Sequence, residues 1–240
     1  MRIIDRTIVA LDNMNKGDIL DFLDRTNGEF RFVKIGMELF YKEGRNIVME
    51  IHDKYKVEIF LDLKLHDIPN TVKKAIKSLS GLPVKFLTVH LAGGEKMLKE
   101  AILEAQTSLQ KTNLLGVSFL TSLSANDFTE LFDYDEKKTK EAFERFFKVA
   151  CKAKIHGVIL SPHELELCRQ IERQSGHELL KITPGIRFQD EINSGNTQDQ
   201  ARVLSPQSAI QNGADYLVIG RSLTMADNIE KRIIELKENI

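Results

Sequence analysis

Val57-Glu58-Ile59-Phe60-Leu61-Asp62-Leu63-Lys64-Leu65-His66-Asp67-Ile68-Pro69-Asn70-Thr71 is the stretch on which the fold turns. Its first half is β-branched and apolar, which predicts a buried strand. Side chains alternate faces along a strand and each residue rises about 3.3 Å, so Asp62 and Lys64 share a face roughly 7 Å apart. Leu61, Leu63 and Leu65 point the other way. One face is therefore apolar, while the other carries an acid and an amine. A second acid, Asp67, follows where Pro69 ends the strand. Charges gathered at the end of a buried strand make a poor core, because each must be desolvated and paired. They make a good site.

The same kind of strand recurs along the whole chain. Apolar runs at residues 3–12, 30–36, 57–64, 85–91, 114–120, 156–161, 179–184 and 215–220 alternate with longer amphipathic segments. From Gly94 to Leu109, Met97, Leu98, Ala101, Ile102 and Ala105 recur at helical spacing; from Glu141 to Ala153, Phe143, Phe146, Phe147 and Ala150 form one apolar face. Alternating strand and helix units imply a parallel sheet with right-handed crossovers. Eight such units without a Pro/Gly-rich linker predict a closed (β/α)₈ TIM barrel, an α/β fold with residues 1–240 as a single domain. No GxGxxG motif follows the first strand, which weakens a dinucleotide-binding reading.

Bulk composition narrows the function classes. The 240 residues are 42% hydrophobic and 29% charged, with a formal net charge of -1, which argues against a nucleic-acid footprint. Lys137, Lys138 and Lys140 sit among Asp133, Asp135, Glu136 and Glu141, as on a solvated mixed-charge helix face. The two cysteines, Cys151 and Cys168, have no ligand spacing, and the N-terminus shows no signal-peptide pattern. No apolar run approaches the roughly 18 residues of a membrane span. The expectation is a reduced, cytoplasmic protein that meets neither membrane nor nucleic acid.

Barrel chemistry gathers where strands end. Those ends carry Asp12, Lys34, Asp62, Lys64, His90, Thr121, Ser161, the run Pro184-Gly185-Ile186-Arg187, and Gly220-Arg221. Lys34, Asp62, Lys64 and Asp67 form an alternating set in which the acids hold the lysines protonated and the lysines hold the acids ionised. A lysine so held suits a general acid better than a Schiff-base nucleophile. A structural ion-pair network is the simpler alternative. Arg187 and Arg221, each beside a glycine at the last two strand ends, suit a phosphate. Phe188 to Ser205, long and polar, suits a lid. Asp62, His66, Asp67 and His90 could instead hold a metal, although two lysines already place positive charge there.

The motifs resemble those of the orotidine 5′-phosphate decarboxylase family across essentially the whole chain. They are Val9-Ala10-Leu11-Asp12, Val33-Lys34-Ile35-Gly36, Asp62-x-Lys64-x-x-Asp67-Ile68-Pro69-Asn70-Thr71, Leu120-Thr121-Ser122, Thr183-Pro184-Gly185-Ile186-Arg187 and Val218-Ile219-Gly220-Arg221-Ser222. The resemblance implies decarboxylation of orotidine 5′-phosphate to UMP, with no metal or organic cofactor, by a homodimer. By that carry-over, Lys64 protonates C6, Asp62 meets the substrate carboxylate, Lys34 holds the ribose, and Asp67 enters from the neighbouring subunit. Asp12 would bind the ribose region, Thr121 the base, and Thr71 the ligand across the interface. Gln200, Arg187, Gly220 and Arg221 would take the phosphate. Two other readings compete: a Mg²⁺-dependent sugar-phosphate barrel enzyme sharing the acid-x-Lys-x-x-Asp strand, and a non-catalytic nucleotide-binding barrel.

Overall fold

Eight parallel strands arise from the eight apolar runs in the computed structural model, which describes residues 2–194 and 203–237. They are β1 (Thr7–Ala10), β2 (Phe32–Gly36), β3 (Glu58–Leu65), β4 (Val84–His90), β5 (Asn113–Val117), β6 (Gly157–Ile159), β7 (Leu180–Thr183) and β8 (Tyr216–Ile219). Each pairs with the next, and β8 returns to β1 through Thr7↔Leu217 and Val9↔Ile219, so the sheet closes. The (β/α)₈ barrel expected from the sequence is the fold.

Period-2 alternation sorts the side chains of the barrel. One set points inward and packs on itself: Ile8, Phe32, Phe60, Phe86, Leu115, Ile182 and Val218, with Tyr216 against them. Phe60 meets Phe86 edge-on, and Tyr216 meets both Phe32 and Phe86 at steep angles, the arrangement that aromatic quadrupoles favour. The opposite set, including Val9, Val33, Leu61, Leu87 and Leu217, faces the helices in a second, larger apolar layer. The aromatic plug fills the lower barrel, so a cavity can open only above it.

Helix boundaries follow local chemistry. The helix Gly94–Ser108 buries Met97, Leu98, Ala101 and Ala105, the face its spacing predicts. The phenylalanine-bearing helix runs Glu136–Ala153, five residues earlier than its apolar pattern begins, because the Asp135 side chain accepts from the Lys138 backbone and caps it. That early turn holds the mixed charges, with Lys138 paired to Asp133.

Three local expectations are corrected. Residues 3–6 form a 3₁₀ turn instead of the start of a strand. Ile3 and Ile4 are both buried, which alternation in a one-sided strand would not allow, and Arg2 clamps the turn through Asp5 at 2.9 Å. Pro69 does not end a strand: β3 stops at Leu65, and Pro69 opens the helix Pro69–Ser78 at a position where its missing N–H is harmless. The connection after Phe188 is not wholly irregular, since Gln189–Asn193 is helical and an Ile186↔Leu204 bridge pins both of its stems. Residues 195–202, with Gln200 and the centre of the lid expectation, lie outside the described residues.

Candidate active site

A cavity of about 430 Å³ opens at the C-terminal ends of the strands. Phe60, Val117, Ile159 and Val218 from the inward apolar layer form its floor. Of the residues expected at the site, Asp12, Lys34, Asp62, Lys64, Thr121, Arg187, Gly220 and Arg221 line it. They come from six separate segments that the barrel alone brings together.

Charge is concentrated on one wall. Lys34, buried in the middle of β2, donates to Asp12 Oδ1 at 2.8 Å and Oδ2 at 2.6 Å, and its Nζ lies 3.7 Å from Asp62 Oδ2. Lys64 Nζ reaches the same Asp62 Oδ2 at 2.7 Å. Asp62 is thus held between two ammonium groups. Burial pushes its carboxyl up, but the charges of Lys34 and Lys64, with hydrogen bonds from Lys64 and Thr88, outweigh it and hold the group below the usual carboxylate range.

Gly36 makes room for this wall: a Cβ there would stand 2.5 Å from Asp12 Oδ1 and 3.5 Å from Lys34 Nζ. The Lys34-Ile35-Gly36 sequence therefore reads as lysine plus the space its partner needs. Across the cavity, Arg187 is buried and donates to the Ile186 carbonyl at 2.9 Å. Gly185, with φ 78, makes the turn that brings Arg187 back to the rim. Arg221 follows the end of β8. One wall thus carries the acid–lysine network and another carries arginines.

Among the described residues, Asp67 takes no part in the network of its own chain. It lies beyond the end of β3, is exposed, and accepts the adjoining Ile68 N–H at 2.7 Å. The acid that completes the network is Asp12, which strand spacing could not reveal because it sits 22 residues before Lys34. Thr71 is also exposed, on the first turn of Pro69–Ser78. Neither residue lines the cavity.

Thr88 is the residue that the sequence reading missed. Fully buried in β4, its Oγ1 donates to Asp62 Oδ1 at 2.8 Å and accepts the Lys64 backbone N–H at 2.8 Å. A signal was present: Thr88 follows Phe86 by two residues and so faces inward as the polar member of an apolar strand. Met37, Glu38 and Phe119 also line the cavity and carry no motif.

Among the described residues, no group of three or more His, Cys, Asp or Glu side chains gathers at one point. His66 and His90 instead face each other, ring centroids 5.1 Å apart, and neither lines the cavity. Burial, then the charges of His66 and Lys64, push His90 below its ordinary range.

The chain is similar to known proteins over nearly its whole length. The model of the orotidine 5′-phosphate decarboxylase / HUMPS family matches residues 5–235. The chain is 40% identical to orotidine 5′-phosphate decarboxylase of Ligilactobacillus salivarius (strain UCC118), covering 93% of this chain and 92% of that one. It is 42% identical to the enzyme of the same name from Bacillus thuringiensis subsp. konkukian (strain 97-27), covering 92% and 91%. The crystal structure of orotidine 5′-phosphate decarboxylase from Lactobacillus acidophilus superposes with a TM-score of 0.76 at 32% identity, over 97% of each chain.

Proposed function

The chain belongs to the orotidine 5′-phosphate decarboxylase / HUMPS family, and from that premise we propose that it converts orotidine 5′-phosphate to UMP and CO₂ in pyrimidine synthesis. The observation that carries this reading is the cavity itself, with Asp62 and Lys64 on one wall and Arg187 and Arg221 on another. A nucleotide monophosphate has the matching polarity, a reacting base at one end and a dianion at the other.

In this mechanism the C6 carboxylate of the substrate lies against Asp62 and Lys64. The bond from C6 to the carboxylate carbon breaks, CO₂ leaves, and the electron pair stays on C6. Lys64 Nζ delivers a proton to that carbon and takes another from solvent before the next turnover. An ammonium already fixed by Asp62 at 2.7 Å needs no reorganisation as negative charge develops on C6, and so it stabilises the transition state more than the ground state. Lys34 holds the ribose and orders Asp12 and Asp62, Asp12 contacts the ribose region, and Thr121 meets the base.

Arg187, Arg221 and the Gly220 backbone take the phosphate, as does Gln200, which lies outside the described residues. Asp67 and Thr71 complete the site of a neighbouring subunit in a homodimer; their exposure beyond β3 supports that assignment, as does Ile68 between them, 67% exposed. No metal or organic cofactor takes part. We place the single-domain protein, residues 1–240, in the cytoplasm, a reading supported by its two free, buried cysteines. Among the described residues no helix is long and apolar enough to cross a membrane.

The deciding experiment follows the orotidine 5′-phosphate absorbance when EDTA-treated protein is added. Loss of absorbance with release of UMP is expected. Turnover that requires Mg²⁺, or acts on a sugar phosphate instead, would move the chain to the other chemistry of its family. UMP binding without turnover would make it a binding protein. Arg221→Ala should lose far more activity on orotidine 5′-phosphate than on the bare nucleoside; equal losses would remove the phosphate role.

A further inference from the structure

We propose that Thr88 is a positioning residue for the decarboxylation, its single hydroxyl fixing the Asp62 carboxylate and the Lys64 backbone relative to one another. This inference rests on the reading given under the proposed function. Neither the motifs nor the strand ends pointed to Thr88, and it does not line the cavity.

The irregularity of β3 creates the need for it. The β3–β4 pairing runs Leu61↔Leu87 and then Leu65↔Val89, so four residues on one strand advance against two on the other. Asp62, Leu63 and Lys64 fall in that interval, and Lys64 takes φ 47, a left-handed conformation that side-chain-bearing residues rarely adopt. Its N–H thus falls where the regular β3–β4 register is broken. Thr88 Oγ1 accepts that N–H at 2.8 Å in place of a carbonyl.

The hydroxyl proton then has one place to go. Ionised, Asp62 can only accept, so the bond between Thr88 Oγ1 and Asp62 Oδ1, also 2.8 Å, runs from threonine to aspartate. One fully buried oxygen thus donates to the acid and accepts from the lysine backbone. Holding Oδ1 turns Oδ2 toward Lys64 and Lys34, at 2.7 and 3.7 Å. Without the hydroxyl, the Lys64 N–H loses its buried acceptor, the backbone can leave φ 47, and Nζ moves relative to C6.

Thr88→Val preserves volume and branching but has no hydroxyl; Thr88→Ser keeps the hydroxyl and drops the methyl. A positioning role predicts that T88V loses about 10²-fold in kcat while KM and UMP dissociation change little, and that T88S recovers most of the rate. The acid limb of the kcat profile should also move to higher pH in T88V, because Asp62 has lost a hydrogen bond to its charged form. A packing role predicts the reverse order, with T88V close to wild type and T88S impaired, and that result overturns the proposal. Should T88V not fold, T88A also lacks the hydroxyl and is compared with T88S in its place. Wild-type protein that leaves orotidine 5′-phosphate unchanged would overturn the functional reading and the role of Thr88 with it. Wild-type turnover with an unimpaired T88V would overturn the role of Thr88 alone.

Discussion

Lys64 shows at a single residue how local preference yields to a site. A lysine in left-handed backbone carries strain on the order of 1 kcal/mol, and its side chain is held by Asp62 while its N–H is held by Thr88. Lys64→Ala should lower kcat by at least about 10³-fold, as loss of a general acid does, while UMP still binds; turnover near the wild-type rate would contradict the proton transfer. Lys64→Gly should be equally inactive yet more stable than Lys64→Ala by about 1 kcal/mol in denaturant unfolding, since only glycine is unstrained at that φ. Asp62 adds a dependence on acid. With its folded pKa below the ordinary 3.8, it contributes stability that is fully present above 3.8 and is lost as pH falls through the lower folded value.

Strands and helices meet through a second set of polar links, away from the cavity. At the start of β5, the Leu114 N–H donates to His156 Nδ1 at 3.1 Å, just before β6 begins. That nitrogen can accept only when it carries no proton, and burial, with the nearby His177, lowers the pKa of the ring below 6.5. The neutral ring is therefore favoured by the fold. Its contribution to stability is present above pH 6.5 and is lost as pH falls below that value toward the folded pKa. His156→Asn keeps an acceptor that does not titrate, so it should flatten the fall of Tm below pH 6.5; His90, shifted the same way by burial, leaves part of the slope. An unchanged slope in H156N would show that the β5–β6 link does not titrate. At the foot of β7, Lys181 binds Glu172 at 3.0 Å and Asp215 at 3.4 Å, tying that strand to the helix Leu165–Ser175 and to the chain entering β8.

For the whole molecule, the proposed dimer has a sharp consequence. If Lys64 serves its own cavity and Asp67 the neighbour's, K64A and D67N proteins are each inactive alone but complementary when subunits exchange. In an equal mixture about half the pairs are mixed and one site of each is intact, so roughly a quarter of wild-type activity should return for a two-fold dimer. No recovery after demonstrated subunit exchange would place Asp67 outside the neighbouring site. The exposed residues Asp67, Ile68 and Thr71, set against the buried Asp62 a few residues earlier, are the surface on which this prediction stands.

Much of the architecture was legible in the residues because burial acts locally. Apolar runs of strand length, helical faces such as Met97-Leu98-Ala101, and charged residues where the runs stop are each set by a period that neighbouring residues share, and these determined the barrel, its inner and outer faces, and the ring of Asp12, Lys34, Asp62, Lys64, Arg187 and Arg221 at its rim. Partnership was not legible in the same way. That Lys34 pairs with Asp12, that Asp67 faces outward, and that Thr88 spans Asp62 and Lys64 depend on how one strand slides past the next, and a residue's own neighbours in sequence do not set that slide. Only closure of the sheet, with its irregular β3–β4 register, decided it. Side-chain period is a property of one segment, whereas a hydrogen bond between residues 26 apart is a property of the packed barrel.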